Sequence, residues 1–325
     1  MNTLYREIFM FPVRIELAKG FRPLLLLTLM AGLLCIVAAS PAIAAEKQRS
    51  FASPEEAAQA LVAAIRSEDL KALTHVLGPG SNEIVESGDA VADKARRGRF
   101  VKAYEESSRL VRLDDAKAVL NVGKDDWPFP VPIVKDGKAW RFDTNEGREE
   151  ILNRRIGRNE LAVIQVLQAY VDAQREYYLR NPQGEKLLQY AQRIASTQGK
   201  RDGLYFPTKS GEQPSPLGPL VESAKALGYT RAKGAQPTPY YGYYYRVLKG
   251  QGSAARGGAY DYVVQGKMIG GFALVAWPAS YGNSGVMSFI VNHDGVVYES
   301  DLGPGTAAEA QKIMTFNPDQ SWKLQ

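Results

Sequence analysis

Hydrolysis of a glycosidic bond needs two carboxyl groups with separated pKa values, one on either side of the bond. Asp125 and Asp126, beside Trp127, are the best sequence-local pair and the candidate catalytic residues. The same residues fit a plain turn, because two adjacent acids followed by Pro128 are typical where a strand ends. The two histidines, His75 and His293, have no partner at metal-ligand spacing such as H-x-x-x-H, so neither a metal site nor a cofactor is expected. There is no G-x-S-x-G elbow and no Walker-type glycine loop. The single cysteine, Cys35, sits in an apolar run near the N terminus that is expected to be removed, which leaves no thiol nucleophile.

Binding chemistry has more candidates. In Tyr240-Tyr241-Gly242-Tyr243-Tyr244-Tyr245, a strand would point Tyr241, Tyr243 and Tyr245 one way and Tyr240 and Tyr244 the other. An exposed row of phenols stacks on sugar rings or on a partner protein; a buried row is sheet core. Tyr241, Tyr243, Tyr245 and Trp127 are the candidate binding residues. The run Lys94-Ala95-Arg96-Arg97-Gly98-Arg99 suits either contact with anionic lipid or polysaccharide or a solvated helix face.

The N terminus gives these residues an address. A stretch with Arg6, Arg14, Lys19 and Arg22, an apolar run from Leu24 to Ala39 and the small-residue segment Ala42-Ile43-Ala44 form the three-part layout of a secretory signal. The run is shorter than the roughly 20 residues of a membrane-spanning helix. Residues 1–44 are therefore expected to be a cleavable signal peptide, cut after Ala44 or Ala45, the alternative being an uncleaved anchor. A periplasmic or secreted location follows, with no stable membrane span after cleavage and no disulfides. Of 40 basic and 35 acidic residues, four and two leave with the signal, and the resulting 36 against 33 gives no argument for nucleic-acid binding.

The elements that must position the candidates fall into two groups. Ser53-Pro54-Glu55-Glu56 reads as a capping box, followed by an apolar stripe at Ala57, Ala60, Leu61, Ala64 and Ile65 and a second short helix through Leu70, Leu73 and Leu77. A third helix is expected from Asp89 to Tyr104, then strands, among them a hairpin turning at Asp136-Gly137. Residues 46–143 thus form a small α+β domain of N-terminal helices packed on an antiparallel sheet. A helix pair against a bent sheet can also form a small-molecule cup. Residues 144–325 form a second domain: helices over Thr144–Ile156, Glu160–Tyr178 and Gly184–Ala195, a Gly/Pro-rich surface loop at 197–217, an antiparallel meander from Tyr240 onward and a closing helix at Thr306.

Four stretches, Asp125 to Pro130, Gly203 to Pro207, Ser215 to Leu220 and Gly270 to Pro278, resemble a bacterial family known as domain of unknown function 2950. That resemblance implies an exported protein and supplies no reaction. Asn159-Glu160, Ile164, Leu167, Ala173-Gln174 and Tyr177, with Tyr281 to Val286 and Asp294 to Val296, also resemble the long helix and final strands of type IV pilin-like proteins, although the pilin processing site is missing. The expected activity is binding or scaffolding in the cell envelope, with an unidentified envelope protein or polysaccharide as partner. The alternative is a carboxylate-dependent hydrolase acting on cell-wall or extracellular polysaccharide.

Overall fold

The computed structural model describes residues 48–229 and 238–325, and Glu46–Gln325 forms one compact unit. The expected signal segment, with Cys35, lies outside the described residues. Helix α1 (Pro54–Arg66) starts as its sequence dictates: the Ser53 hydroxyl accepts the Glu56 N–H at 3.2 Å. The Glu56 carboxylate accepts from Ala52 N at 2.9 Å, one residue earlier than in a standard capping box. Asp69 caps α2 (Leu70–Leu77) through the Ala72 N–H, and after the short α3 (Asn82–Val85), Asp89 caps α4 (Ala90–Glu106) through Ala92. A sheet follows, with β1 (Ser108–Arg112), β2 (Lys117–Val122), β3 (Trp127–Pro128), β4 (Ile133–Asp136) and β5 (Ala139–Phe142) in the order β1-β2-β4-β5 and β3 attached to β2. Its strands alternate: Ala118, Leu120 and Val122 are buried while their neighbours are half-exposed, as a sheet covered on one face requires. Leu61, Leu73, Ile133 and Phe142 join the helices to this sheet in a first core, and Gly137 supplies the positive φ (64°) of the β4–β5 turn.

One helix of 37 residues, α5 (Thr144–Arg180), replaces the two helices expected on either side of Gly157. Its first turns pack Ile151 and Leu152 on the first core, and its later turns bury Val163, Leu167, Tyr170 and Tyr177 in a second. The break was expected because the polar run from Arg154 to Glu160 offers no apolar stripe. Each polar side chain that faces inward there has a specific partner instead.

The second core is built on a meander of β6 (Tyr243–Leu248), β7 (Ala273–Pro278), β8 (Met287–Asn292), β9 (Val297–Asp301) and β10 (Lys323–Leu324), paired antiparallel in sequence order. All of β7 is buried, with α5 and the closing α7 (Thr306–Lys312) packed against it; α6 (Gly218–Ala226) falls between α5 and β6 in the chain. The architecture is therefore α+β throughout. Among the described residues no helix is long and apolar enough to cross a membrane.

Two further expectations are corrected. No helix forms over 184–195: Asn181 ends α5 in the left-handed region (φ 45°). The buried Gln174 side chain then binds both the N–H and the carbonyl of Ala191, each at 2.8 Å, standing in for a strand partner. The 197–217 segment has neither helix nor strand, as expected, yet it is only partly surface, because Leu204 and Leu217 are buried in the second core and Phe206 is buried as well.

Two glycines of α5 test this packing in opposite directions. A Cβ on Gly147 would lie 2.4 Å from the Pro130 carbonyl oxygen and 2.7 Å from Val131 Cα, whereas nothing stands within 4 Å of one on Gly157. Gly147→Ala is expected to destabilise by about 1–3 kcal/mol despite its better helix propensity, and Gly157→Ala to stabilise by about 0.5–1 kcal/mol. Thermal unfolding of the two variants checks both signs.

Candidate functional site

The first core is bordered by an open cleft. Between α1, α2, α4 and the sheet lies a cavity of about 710 Å³. Its floor is apolar and buried: Leu61, Ile65, Leu73, Leu77, Ile84 and Val122. Phe100, Phe129 and Ile151 form half-buried walls, Phe100 and Phe129 meeting at 5.2 Å between ring centroids. The mouth is where exposed side chains line it, at Arg99, Lys124, Asp125, Trp127 and Arg158.

Charge at this cavity is one-sided. Six cationic residues line it, Arg96, Arg97 and Arg99 on α4, Lys124 before β3, and Arg154 and Arg158 on α5, against the acids Asp93, Glu106 and Asp125. Arg96 and Arg99 are three residues apart and Arg154 and Arg158 four, so each pair shares a helix face. Asp93, 3% exposed, is already occupied: it accepts from Ser87 N (2.7 Å), Ser87 Oγ (2.8 Å) and the Arg96 guanidinium. Arg154 bonds Glu150 at 2.5 Å and lies over the Trp127 ring at 5.5 Å. Among the described residues Arg99 and Arg158 carry no ion pair, and the buried Nη1 of Arg96 has no hydrogen-bond partner. Burial lowers the Arg96 pKa, with Asp93 opposing and Arg158, Arg99 and Arg97 adding to the fall; Arg158 is lowered by burial and then by Arg99 and Arg154.

Behind this rim is a buried polar junction between the two cores. The Arg155 guanidinium donates to the carbonyls of Glu83 (2.6 Å) and Ile84 (2.7 Å) and to the Asn283 side chain. Burial, and then Arg96, draw its pKa down to about 9, so it is cationic at neutral pH. Asn283 in turn donates to the Glu86 carbonyl at 3.0 Å, and Asn159 to the Ser284 carbonyl at 2.8 Å. Asp89 accepts from the Tyr229 hydroxyl (2.7 Å) and Gly242 N (2.9 Å), which pushes the Tyr229 phenol far above its ordinary pKa, burial being the larger cause.

The candidates read from the sequence are dispersed by this geometry. Asp125 lines the mouth beside Trp127, which is 39% exposed. Asp126, at φ 56° in the turn, pairs instead with Arg109 and is not among the lining residues, so the two carboxylates do not flank one cleft. The three tyrosines do not form one row. Tyr241 (φ 51°) and Gly242 (φ 74°) are the central residues of a tight turn closed by Tyr240 and Tyr243, and β6 begins only at Tyr243. Tyr243 is fully buried and donates to the Met287 carbonyl at 2.9 Å; Tyr245 is half-buried and donates to the Tyr240 carbonyl at 3.2 Å. His75 stays on α2, and the His293 ring packs edge-on against Tyr262, 5.6 Å between centroids. Sequence reading missed Arg154 and Arg158 as partners of Arg96 and Arg99. The available signal was arginine at one-turn spacing on two helices, which by itself also describes a solvated face.

Fold and site thus define an α+β protein with an apolar cup rimmed by arginine. Residues 48–324 match the family described as Protein of unknown function (DUF2950), and the chain belongs to that family. No curated protein and no solved structure matches it.

Arg155→Met removes the donors that serve the Glu83 and Ile84 carbonyls, and a loss of about 1–3 kcal/mol is expected. Arg155→Lys should recover little of it, because an ammonium lacks the planar fork. Urea unfolding measures both, and stabilities within about 0.5 kcal/mol of the parent would show that the junction is incidental.

Proposed function

We propose that this is an exported binding protein whose first core takes up the apolar part of a small envelope molecule. The observation that supports the reading is the cup itself: an open cleft of about 710 Å³ against the first core, lined by leucine, isoleucine and phenylalanine. That volume is typical of small-molecule sites, as is an apolar floor with polar groups converging at the mouth. Trp127 at the mouth is the binding residue that the sequence reading and this proposal share. Carboxylate chemistry on polysaccharide has less support, since only Asp125 of the two acids faces the cup.

Export is supported by the charged stretch, the apolar run and Ala42-Ile43-Ala44. Intact mass of the protein recovered from the envelope fraction should correspond to a chain beginning at Ala45 or Glu46; a chain beginning at Met1 would contradict this address.

Ala103 lines the cup from α4, so Ala103→Trp would place an indole in the cavity. With the neutral dye N-phenylnaphthylamine, the parent should give a saturable fluorescence rise, and the variant should bind at least about tenfold more weakly, some 1.4 kcal/mol. Its far-ultraviolet circular dichroism should be unchanged. Equal dye uptake by both proteins would place the binding elsewhere.

A further inference from the structure

The cup's floor says only that part of the ligand is apolar; its rim says what the rest must be. Arg96 and Arg99 come from α4 and Arg154 and Arg158 from α5, and all four line one cavity. A cationic surface of this kind is ordinarily balanced by carboxylates at ion-pair distance. Here the acid that approaches Arg96 is Asp93, which also serves two donors of Ser87, and Glu150 holds Arg154. Arg99 and Arg158 have no carboxylate partner among the described residues, and the buried Nη1 of Arg96 has no acceptor. Glu106 and Asp125 also line the cavity, and neither pairs with a rim arginine. The flat Trp127 ring under Arg154 adds a wall that screens the guanidinium from water on one side.

Like charges crowded beside an apolar cavity raise the free energy of the empty site, and an anion entering there relieves it. Guanidinium groups suit oxyanions in particular, because their fixed N–H forks match the oxygens of phosphate and carboxylate. A phosphate monoester presents three peripheral oxygens and close to two negative charges, so it can engage several arginines at once, while a carboxylate offers two oxygens and one charge.

We infer that the cup binds a single-chain amphiphile with a phosphate-type headgroup, its chain on the Leu61–Leu73–Ile84 floor and its headgroup between Arg99 and Arg158. This assignment rests on the binding reading above and goes further by naming the ligand class and the residues that select it. Lys124 and Arg97 add to the attraction without being required to touch the headgroup.

The test compares dodecyl phosphate, dodecanoate, the neutral glycerol monolaurate and inorganic phosphate, each as competitor for bound N-phenylnaphthylamine below its micellar concentration. Dodecyl phosphate is expected to compete at least about tenfold better than glycerol monolaurate, with dodecanoate between them and inorganic phosphate much the weakest. Raising the salt should narrow the gap. Arg99→Gln with Arg158→Gln should bring dodecyl phosphate down to the neutral amphiphile when the two are compared as a ratio within the variant, and an unchanged far-ultraviolet circular dichroism shows that the exposed substitutions leave the fold intact. Equal competition by charged and neutral amphiphiles would overturn the headgroup assignment and leave the cup standing. Inorganic phosphate competing as well as dodecyl phosphate would overturn the amphiphile. Absence of dye binding in the parent protein would defeat the cup reading itself.

Discussion

A buried guanidinium held by carbonyl oxygens ties the two cores of this molecule together, and the rest of the structure depends on where it sits. Helix α5 spans about 55 Å, and its middle, from Arg154 to Glu160, leaves the first core before the second begins. Burying a charge without a partner costs several kcal/mol, so such a residue persists only where its donors are well satisfied. Arg155 meets that condition through its two Nη groups, which reach the carbonyls of Glu83 and Ile84 on the short helix α3 and Asn283 in the loop before β8, while its buried Nε has no partner. One turn further along, Asn159 holds Ser284, and the Glu160 carboxylate accepts the N–H groups of Val286 and Met287, each at 2.9 Å. Together these bonds fix the rotation of the helix about its axis.

That rotation determines the site. With Arg155 turned into the junction, its neighbours Arg154 and Arg158, which share a face at four-residue spacing, are carried to the mouth of the cup. The segment that Arg155 grips, Glu83 to Ile84, also supplies part of the cup's apolar lining, and Asp93 joins the two regions by binding Ser87 on one side and Arg96 on the other. The site is therefore not an appendage to the fold. Around the cavity, the orphaned Nη1 of Arg96 and three arginines without an acid among the described residues, Arg97, Arg99 and Arg158, gather beside an apolar floor.

The legible parts of the sequence were those governed by local chemistry. Ser53 with Glu56, the buried stripe of α1 and the Asp136-Gly137 turn each carry their signal within a few residues, and the antiparallel meander follows from short apolar runs, the last two joined at Asp294-Gly295. What was not legible depended on distant partners. The helix expected at 184–195 is absent because Gln174, on another element, satisfies Ala191. The expected break near Gly157 is absent because Asn283, Ser284 and Val286 supply acceptors and donors from more than 120 residues away. Tyr241 could not join a strand row because the Tyr-Gly pair took a turn with positive φ at both positions. The cup was foreseeable as a helix pair against a sheet, but its rim was not, since Arg96 and Arg154 are brought together only by the tertiary fold.

The central claim is that a single cavity holds a chain at one end and an oxyanion at the other. A crystal structure with bromine-tagged dodecyl phosphate, the halogen at the chain terminus, tests it directly by anomalous scattering. The account predicts a bromine peak among Leu61, Leu73 and Ile84 and a phosphate within hydrogen-bonding reach of Arg99 and Arg158. A halogen outside the first core, or a cavity closed by inward movement of Phe100 and Phe129 with no ligand in it, would contradict the account.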